Sequence, residues 1–162
     1  MSYVPNLNPT TWKEYCVRFP ISDLNPELVS IIQSLNLRIQ LAEHFYTPTN
    51  VFSPIHTDLR GGDYIKLNYI FGGKNSTMQW YTVKDSIEKK INDTTIVVYD
   101  LTEVDLVHTS TIGFPTIVQV GTPHNVKNYD EPRHCVSLVL KDKNNKRLTM
   151  QTAIDIFKEY IY

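Results

Sequence analysis

Ile65-Lys66-Leu67-Asn68-Tyr69-Ile70-Phe71-Gly72-Gly73-Lys74-Asn75-Ser76-Thr77-Met78-Gln79-Trp80-Tyr81-Thr82-Val83, residues 65–83, is the stretch that decides the fold class. Two runs rich in β-branched and aromatic residues flank a Gly-Gly-Lys-Asn turn signal, which predicts strands at 65–71 and 77–83 joined as a β-hairpin. Similar short runs occur at 38–45, 94–99, 106–110, 115–120 and 133–141, separated by Gly, Pro, Asn and Asp. Repetition of short strands with turn residues between them is the pattern of an antiparallel β domain.

Helical spacing is confined to the two flanks. Asn25-Pro26 reads as an N-cap followed by a first-turn proline, and Leu28, Ile31, Ile32 and Leu35 then recur on one face. Near the end, Ala153, Ile156, Phe157, Tyr160 and Ile161 share a second stripe. A helix, seven or eight strands and a helix are closed most economically as a β-sandwich or jelly roll with the helices packed on one outer sheet. An immunoglobulin-like sandwich is disfavoured, because its Cys, Trp, Cys framework is missing.

The chain has 162 residues, 41% of them hydrophobic, which suits one domain spanning 1–162. Lys and Arg number 16 against 17 Asp and Glu, a formal net charge of -1, so no broad basic field exists to hold a nucleic-acid backbone. Lys141, Lys143, Lys146 and Arg147 are interrupted by Asp142, Asn144 and Asn145 and read as a solvated turn. The opening MSYVPNLNPT lacks a signal-peptide pattern, and no apolar run reaches the ~18 residues of a membrane span. The expected location is the cytoplasm, or a host cytoplasm for a phage-encoded chain. Cys16 and Cys135 are expected to be reduced thiols, and the sequons at Asn75 and Asn92 to be turn chemistry.

Chemistry concentrates in Ser53-Pro54-Ile55-His56-Thr57-Asp58. In extended chain, residues two apart face the same side, so His56 and Asp58 can grip one ion as adjacent ligands. His124, at a turn in Thr122-Pro123-His124-Asn125-Val126, is the natural third member. Two His and one carboxylate on one face of an octahedron is the ligand set of non-haem iron(II) oxygenases, whose open positions accept co-substrate and oxygen. Arg133 opens the strand nine residues later. Its planar fork suits a carboxylate, which makes it a candidate receptor for the far end of a dicarboxylic keto acid. A lone His-x-Asp is common; the conjunction with a distal His and a strand-opening Arg carries the metal reading.

These segments, His56-Thr57-Asp58, Leu67-Asn68-Tyr69-Ile70, Met78-Gln79-Trp80-Tyr81 and Pro123-His124-Asn125-Val126 with Arg133 and Ser137, resemble those of the small 2-oxoglutarate and iron(II)-dependent oxygenases, including compact bacterial and phage members. The likeness spans roughly residues 53–140. It implies a double-stranded β-helix, that is, a cupin-like jelly roll. It implies Fe(II) held by His56, Asp58 and His124, and 2-oxoglutarate docked on Arg133. It places Asn68 in the cavity toward co-substrate or substrate, and a hydroxyl contact on Ser137, although here Cys135 stands two residues after the Arg where Ser is usual. The implied reaction is hydroxylation or a related oxidation of a small-molecule or peptide substrate by O2. A metal-binding cupin-like jelly roll without oxygenase activity, such as an isomerase, a sugar-binding module or a structural protein, is the alternative class.

Other residues are expected to stay outside the site. His134 and Cys135 are strand neighbours facing opposite sides and cannot pair as base and nucleophile. Cys135 reads as cavity lining or core, His44 and His108 as structural imidazoles. Tyr64, Tyr69, Trp80 and Tyr81 form either a substrate wall or, more commonly, core.

Overall fold

A computed structural model describes residues 16–58, 62–84 and 97–160. In chain order the regular elements are β1 (Cys16–Phe19), α1 (Pro26–Ser34), β2 (Leu37–Thr47), β3 (Ile55–Thr57), β4 (Ile65–Gly72), β5 (Thr77–Val83), β6 (Val97–Tyr99), β7 (Val104–Thr111), β8 (Thr116–Gln119), β9 (His124–Lys127), β10 (Arg133–Asp142) and α2 (Met150–Phe157). The protein is mostly β. Two five-stranded sheets are built from antiparallel pairs, in the orders β1-β2-β10-β4-β8 and β6-β3-β9-β5-β7.

α1 starts where its capping chemistry requires. The Asn25 side chain accepts a hydrogen bond from the Glu27 amide at 2.8 Å, and Pro26 occupies the first turn, where no intrahelical donor is needed. α2 is capped in the same way by Thr149, whose hydroxyl accepts from the Thr152 amide at 3.2 Å. Both helices lie on one face of the first sheet. Ile32 of α1 and Ala153 and Phe157 of α2 are buried in a single cluster with Leu37, Ile39 and Ala42 of β2, Ile65 and Leu67 of β4, and Leu138 and Leu140 of β10. The helices thus cover one outer sheet, as the patterning predicts. Ile161 lies outside the described residues, and Tyr160 is exposed.

The 65–83 stretch forms both expected strands but not a hairpin. β4 pairs with β10 and β8, whereas β5 pairs with β7 and β9, so the chain leaves one sheet and enters the other between Gly72 and Thr77. The turn itself is as expected. Gly72, Gly73 and Asn75 have φ of 66°, 65° and 64°, and the Ser76 amide donates to the Gly73 carbonyl at 2.8 Å. A local turn signal specifies reversal of direction; which strand the chain then joins is settled by the apolar faces further away. Other strands fall within two or three residues of expectation. The expected run at 94–99 is strand over Val97–Tyr99, and its first three residues lie outside the described set.

Period-two alternation divides each strand between two surfaces. On the first sheet Glu43, Phe45 and Thr47 of β2, Lys66 and Asn68 of β4, and Arg133, Cys135 and Ser137 of β10 turn away from the helices. They share a rung-by-rung register: Arg133 opposite Thr47, Cys135 opposite Phe45, and Ser137 opposite both Glu43 and Asn68. His56, Met78, His124 and Val126 of the second sheet line the same cavity, of about 360 Å³, as most of these residues. The basic segment 141–147 is a turn, with the Asp142 carboxylate accepting from the amides of Asn144 and Lys146. Among the described residues no helix is long and apolar enough to cross a membrane.

Gly72→Ala tests the crossing. A methyl group there would require an L-residue at positive φ and would collide with the Pro132 carbonyl oxygen. Urea unfolding of this variant should show a loss of ~1–3 kcal/mol; unchanged stability would show that this geometry is not required.

Candidate metal centre

His56 and His124 stand directly opposite one another, because β3 and β9 pair in the register His56 to His124. Their rings are 4.5 Å apart between centroids. Asp58, just past the end of β3, is held by its amide, which donates to the Val120 carbonyl at 2.9 Å. One ligand atom from each of His56, Asp58 and His124 falls within 4.8 Å of the other two. His124 opens β9, where the sequence predicts a turn, and the strand pairing is what directs its ring inward.

The hydrogen bonds decide which nitrogen faces the centre. Nδ1 of His56 lies 2.9 Å from the Pro54 carbonyl and Nδ1 of His124 lies 2.8 Å from the Thr122 carbonyl. A carbonyl can only accept, so each Nδ1 carries a proton and Nε2 is the nitrogen turned toward the centre. Asp58 Oδ1 is 3.4 Å from His56 Nε2. Three electron-pair donors therefore converge on one point, with outer hydrogen bonds fixing the ring tautomers, as in a divalent metal site. The residues present fit a metal ion.

Electrostatics agree with that fit. Burial, and then the neighbouring His56, push the His124 imidazole down to about 4, against an opposing pull from Asp58, so the ring is neutral at pH 7 and ready to donate. Burial works to raise the Asp58 carboxyl, yet Lys66, followed by His56 and His124, overcomes it and holds the group far below the usual carboxylate range. Lys66 Nζ is 2.7 Å from Asp58 Oδ2 and 3.0 Å from Glu43 Oε2. Burial works to lower the ammonium, but these two carboxylates raise it.

Arg133 opens β10 and lines the same cavity at 4% exposure. Burial lowers the guanidinium from its ordinary value, with the Cys135 side chain acting in opposition. Gly73 makes room for its stem, since a Cβ there would lie 2.7 Å from Arg133 Cβ. Asn128, fully buried, secures the preceding loop by donating to the carbonyls of Pro48 and Glu131 at 2.8 Å each. Asn68 and Ser137 also line the cavity, bonded to each other by the Ser137 hydroxyl donating to Asn68 Oδ1 at 2.7 Å.

Sequence reasoning missed the buried Lys66–Asp58–Glu43 network. The signal was present: Lys66 is two residues before Asn68, and a strand that points one inward points both. Cys135 lines the cavity while His134 turns to the opposite face and stacks on His44, with ring centroids 5.3 Å apart. Burial raises both thiols, Cys16 to about 11, so neither is a ready nucleophile. Trp80 donates to the Gln119 carbonyl and Tyr81 to Gln79, and neither lines the cavity. Tyr81 is buried in a core cluster and Trp80 packs half-buried against another, which favours core over the substrate wall for these two.

No protein-family model matches the chain, and no curated protein matches it. Among solved structures, the crystal structure of peruvianin-I, a cysteine peptidase from Thevetia peruviana latex, is similar at a TM-score of 0.36 and 14% identity, over 72% of this chain and 57% of that one. The chain thus spans little more than half the length of that protein.

Two outcomes follow from the centre. Anaerobic calorimetry with manganese(II) should give one ion per chain, and His124→Ala should weaken binding by about a hundredfold or more; equal binding by both proteins would remove His124 from the site. The second concerns acid. An unfolded His takes up a proton near 6.5 while folded His124 resists until about 4. Stability of the metal-free protein from this group is complete above 6.5 and falls as pH drops toward 4, by up to about 1.4 kcal/mol per pH unit. His124→Asn should flatten that slope in urea titrations; an unaltered slope would contradict a buried neutral ring.

Proposed function

We propose that this chain is a 2-oxoglutarate and iron(II)-dependent oxygenase, a hydroxylase in the simplest case, built on a double-stranded β-helix. The topology supports the fold reading. After β1, successive strands alternate β2, β3, β4, β5 between the sheets, then return through β7, β8, β9, β10, which gives β2-β10-β4-β8 facing β3-β9-β5-β7. Two four-stranded sheets in these orders, with β1 and β6 added at the edges, are consistent with a jelly roll and support that reading.

The observation that carries the activity is a buried guanidinium sharing one cavity with the triad. Among the described residues Arg133 has no carboxylate partner, although it is nine-tenths buried or more. Burial of an uncompensated cation is costly and marks a place for an anion. The remaining charges sharpen this. Lys66 is already paired with Asp58 and Glu43 whereas Arg133 is not, so a divalent ion would add to positive charge in the cavity that a dicarboxylate keto acid would offset.

In this reading His56 Nε2, His124 Nε2 and one oxygen of Asp58 would hold iron(II), which when bound would activate O2, the oxidant, with the keto acid as the reductant that ends as succinate. The chain's own residues do the rest. Pro54 and Thr122 carbonyls hold the imidazoles in the ligating tautomer. Arg133 grips the far carboxylate with two parallel donors, setting the keto acid's direction. Phe45, Val51, Phe52, Met78 and Val126 give the cavity apolar walls that exclude water from the reacting atoms. O2 and a small-molecule or peptide substrate complete the set of partners.

Succinate formation from 2-oxoglutarate, with iron(II) and oxygen, tests the reading. Arg133→Lys keeps charge but loses the fork, and should weaken keto acid binding while sparing metal binding. Arg133→Ala should weaken it further, since each charge-assisted contact is worth about 1.5–3 kcal/mol. Wild-type-like turnover in Arg133→Ala would contradict the docking role. Metal binding without any affinity for 2-oxoglutarate would favour the cupin-like jelly roll lacking oxygenase chemistry.

A further inference from the structure

The two oxygens of Asp58 have different surroundings. Oδ1 faces the imidazoles, 3.4 Å from His56 Nε2, whereas Oδ2 makes a 2.7 Å ion pair with Lys66. Lys66 reaches this position from β4 of the first sheet, while Asp58 follows β3 of the second, so the pair bridges the two sheets across the cavity. The ammonium is itself anchored from behind. Glu43 Oε2 holds it at 3.0 Å, Arg18 Nε lies 3.4 Å from Glu43 Oε1, and the side chains of Lys66, Glu43 and Asp58 are 12%, 9% and 12% exposed.

A carboxylate free to rotate can give a metal one oxygen or two. The second mode consumes a coordination position. A centre with three protein ligands that must also chelate a keto acid through two atoms and admit oxygen needs three positions open, so bidentate Asp58 would leave one too few. A pair at 2.7 Å in a low-dielectric cavity is short and strong, and it occupies the oxygen that would have to swing toward the ion. Two of the three Lys66 donors are taken by protein carboxylates, whereas Arg133 has no carboxylate partner among the described residues and is the better placed dock. That division of labour leaves docking to Arg133.

We propose that Lys66 is a positioning residue that restrains Asp58 to one-oxygen ligation, keeping a coordination position open for the co-substrate. This rests on the metal-centre reading above. Lys66 acts through Asp58, and Glu43 acts through Lys66.

The test is the coordination of manganese(II) in crystals of the full chain, with keto acid titration beside it. Lys66→Met alone would strand Glu43 as a buried charge, so the informative protein is the double variant Lys66→Met/Glu43→Gln. Glu43→Gln, which keeps the Lys66–Asp58 pair, and Lys66→Arg serve as controls, and thermal unfolding verifies that each is folded. In wild type and both controls Asp58 should bind manganese(II) through Oδ1 alone. In the double variant both oxygens should bind, and the 2-oxoglutarate dissociation constant should rise about tenfold, the size of effect that outer partners of metal ligands usually have. Two-oxygen ligation in wild type, or one-oxygen ligation in a folded double variant, overturns the positioning role while leaving the metal centre intact. Failure of wild type to bind manganese(II) at all overturns the metal reading and this inference with it.

Discussion

One rung of antiparallel pairing, His56 opposite His124, is the constraint on which the site depends. Directly opposed residues in an antiparallel pair project to the same face with their β-carbons about 5 Å apart. Two imidazoles at that spacing, each with Nδ1–H tied back to a carbonyl two residues earlier, have nowhere to aim Nε2 but at a shared point. Slipping the register by one residue would turn one ring to the opposite face of the sheet. The short strands β3 and β9 are therefore fixed by their neighbours: β6 pairs on the far side of β3, β5 on the far side of β9, and the Asp58 amide is tied to Val120.

The opposite sheet supplies charge. Its inward residues include three ionic ones, Glu43, Lys66 and Arg133, and Arg133 is committed differently from the other two. Lys66 is paired with Glu43 and Asp58, and Glu43 with Lys66 and Arg18, which makes them part of the framework despite the desolvation such pairs incur. Arg133 has no carboxylate partner among the described residues, and the proposed function has it recognise an anion from outside. Asn68 and Ser137 satisfy one another between these two groups. The cavity thus combines the buried guanidinium, the His–Asp cluster and apolar lining residues.

Much of this was legible in the sequence, for reasons that differ residue by residue. The Asn25-Pro26 start of α1 is a local signal with a local cause, and it is found where the pattern puts it. β10, long and strongly alternating, begins at Arg133 as expected. His-x-Asp was readable because period two links residues that are neighbours in the chain. β1, β3 and β9 were not readable, since strands of three or four residues carry too few positions to display a period. The hairpin at residues 72–75 failed on a non-local question, namely which sheet β5 joins. Lys66 was overlooked because its partners, Asp58 and Glu43, come from two other strands, and nothing in a linear reading brings those three together.

Linkage between metal and keto acid tests the central claim most directly. If the triad and Arg133 form one site in which the keto acid is held at both ends, metal must raise the affinity for 2-oxoglutarate, and 2-oxoglutarate must raise the affinity for metal by the same factor. Anaerobic titration of the protein with 2-oxoglutarate, with and without manganese(II), measures that factor. The account predicts a keto acid affinity at least about tenfold higher in the metal-loaded protein, a coupling of about 1.4 kcal/mol or more. Equal affinity in the two states would contradict it, because the guanidinium and the metal would then belong to separate sites.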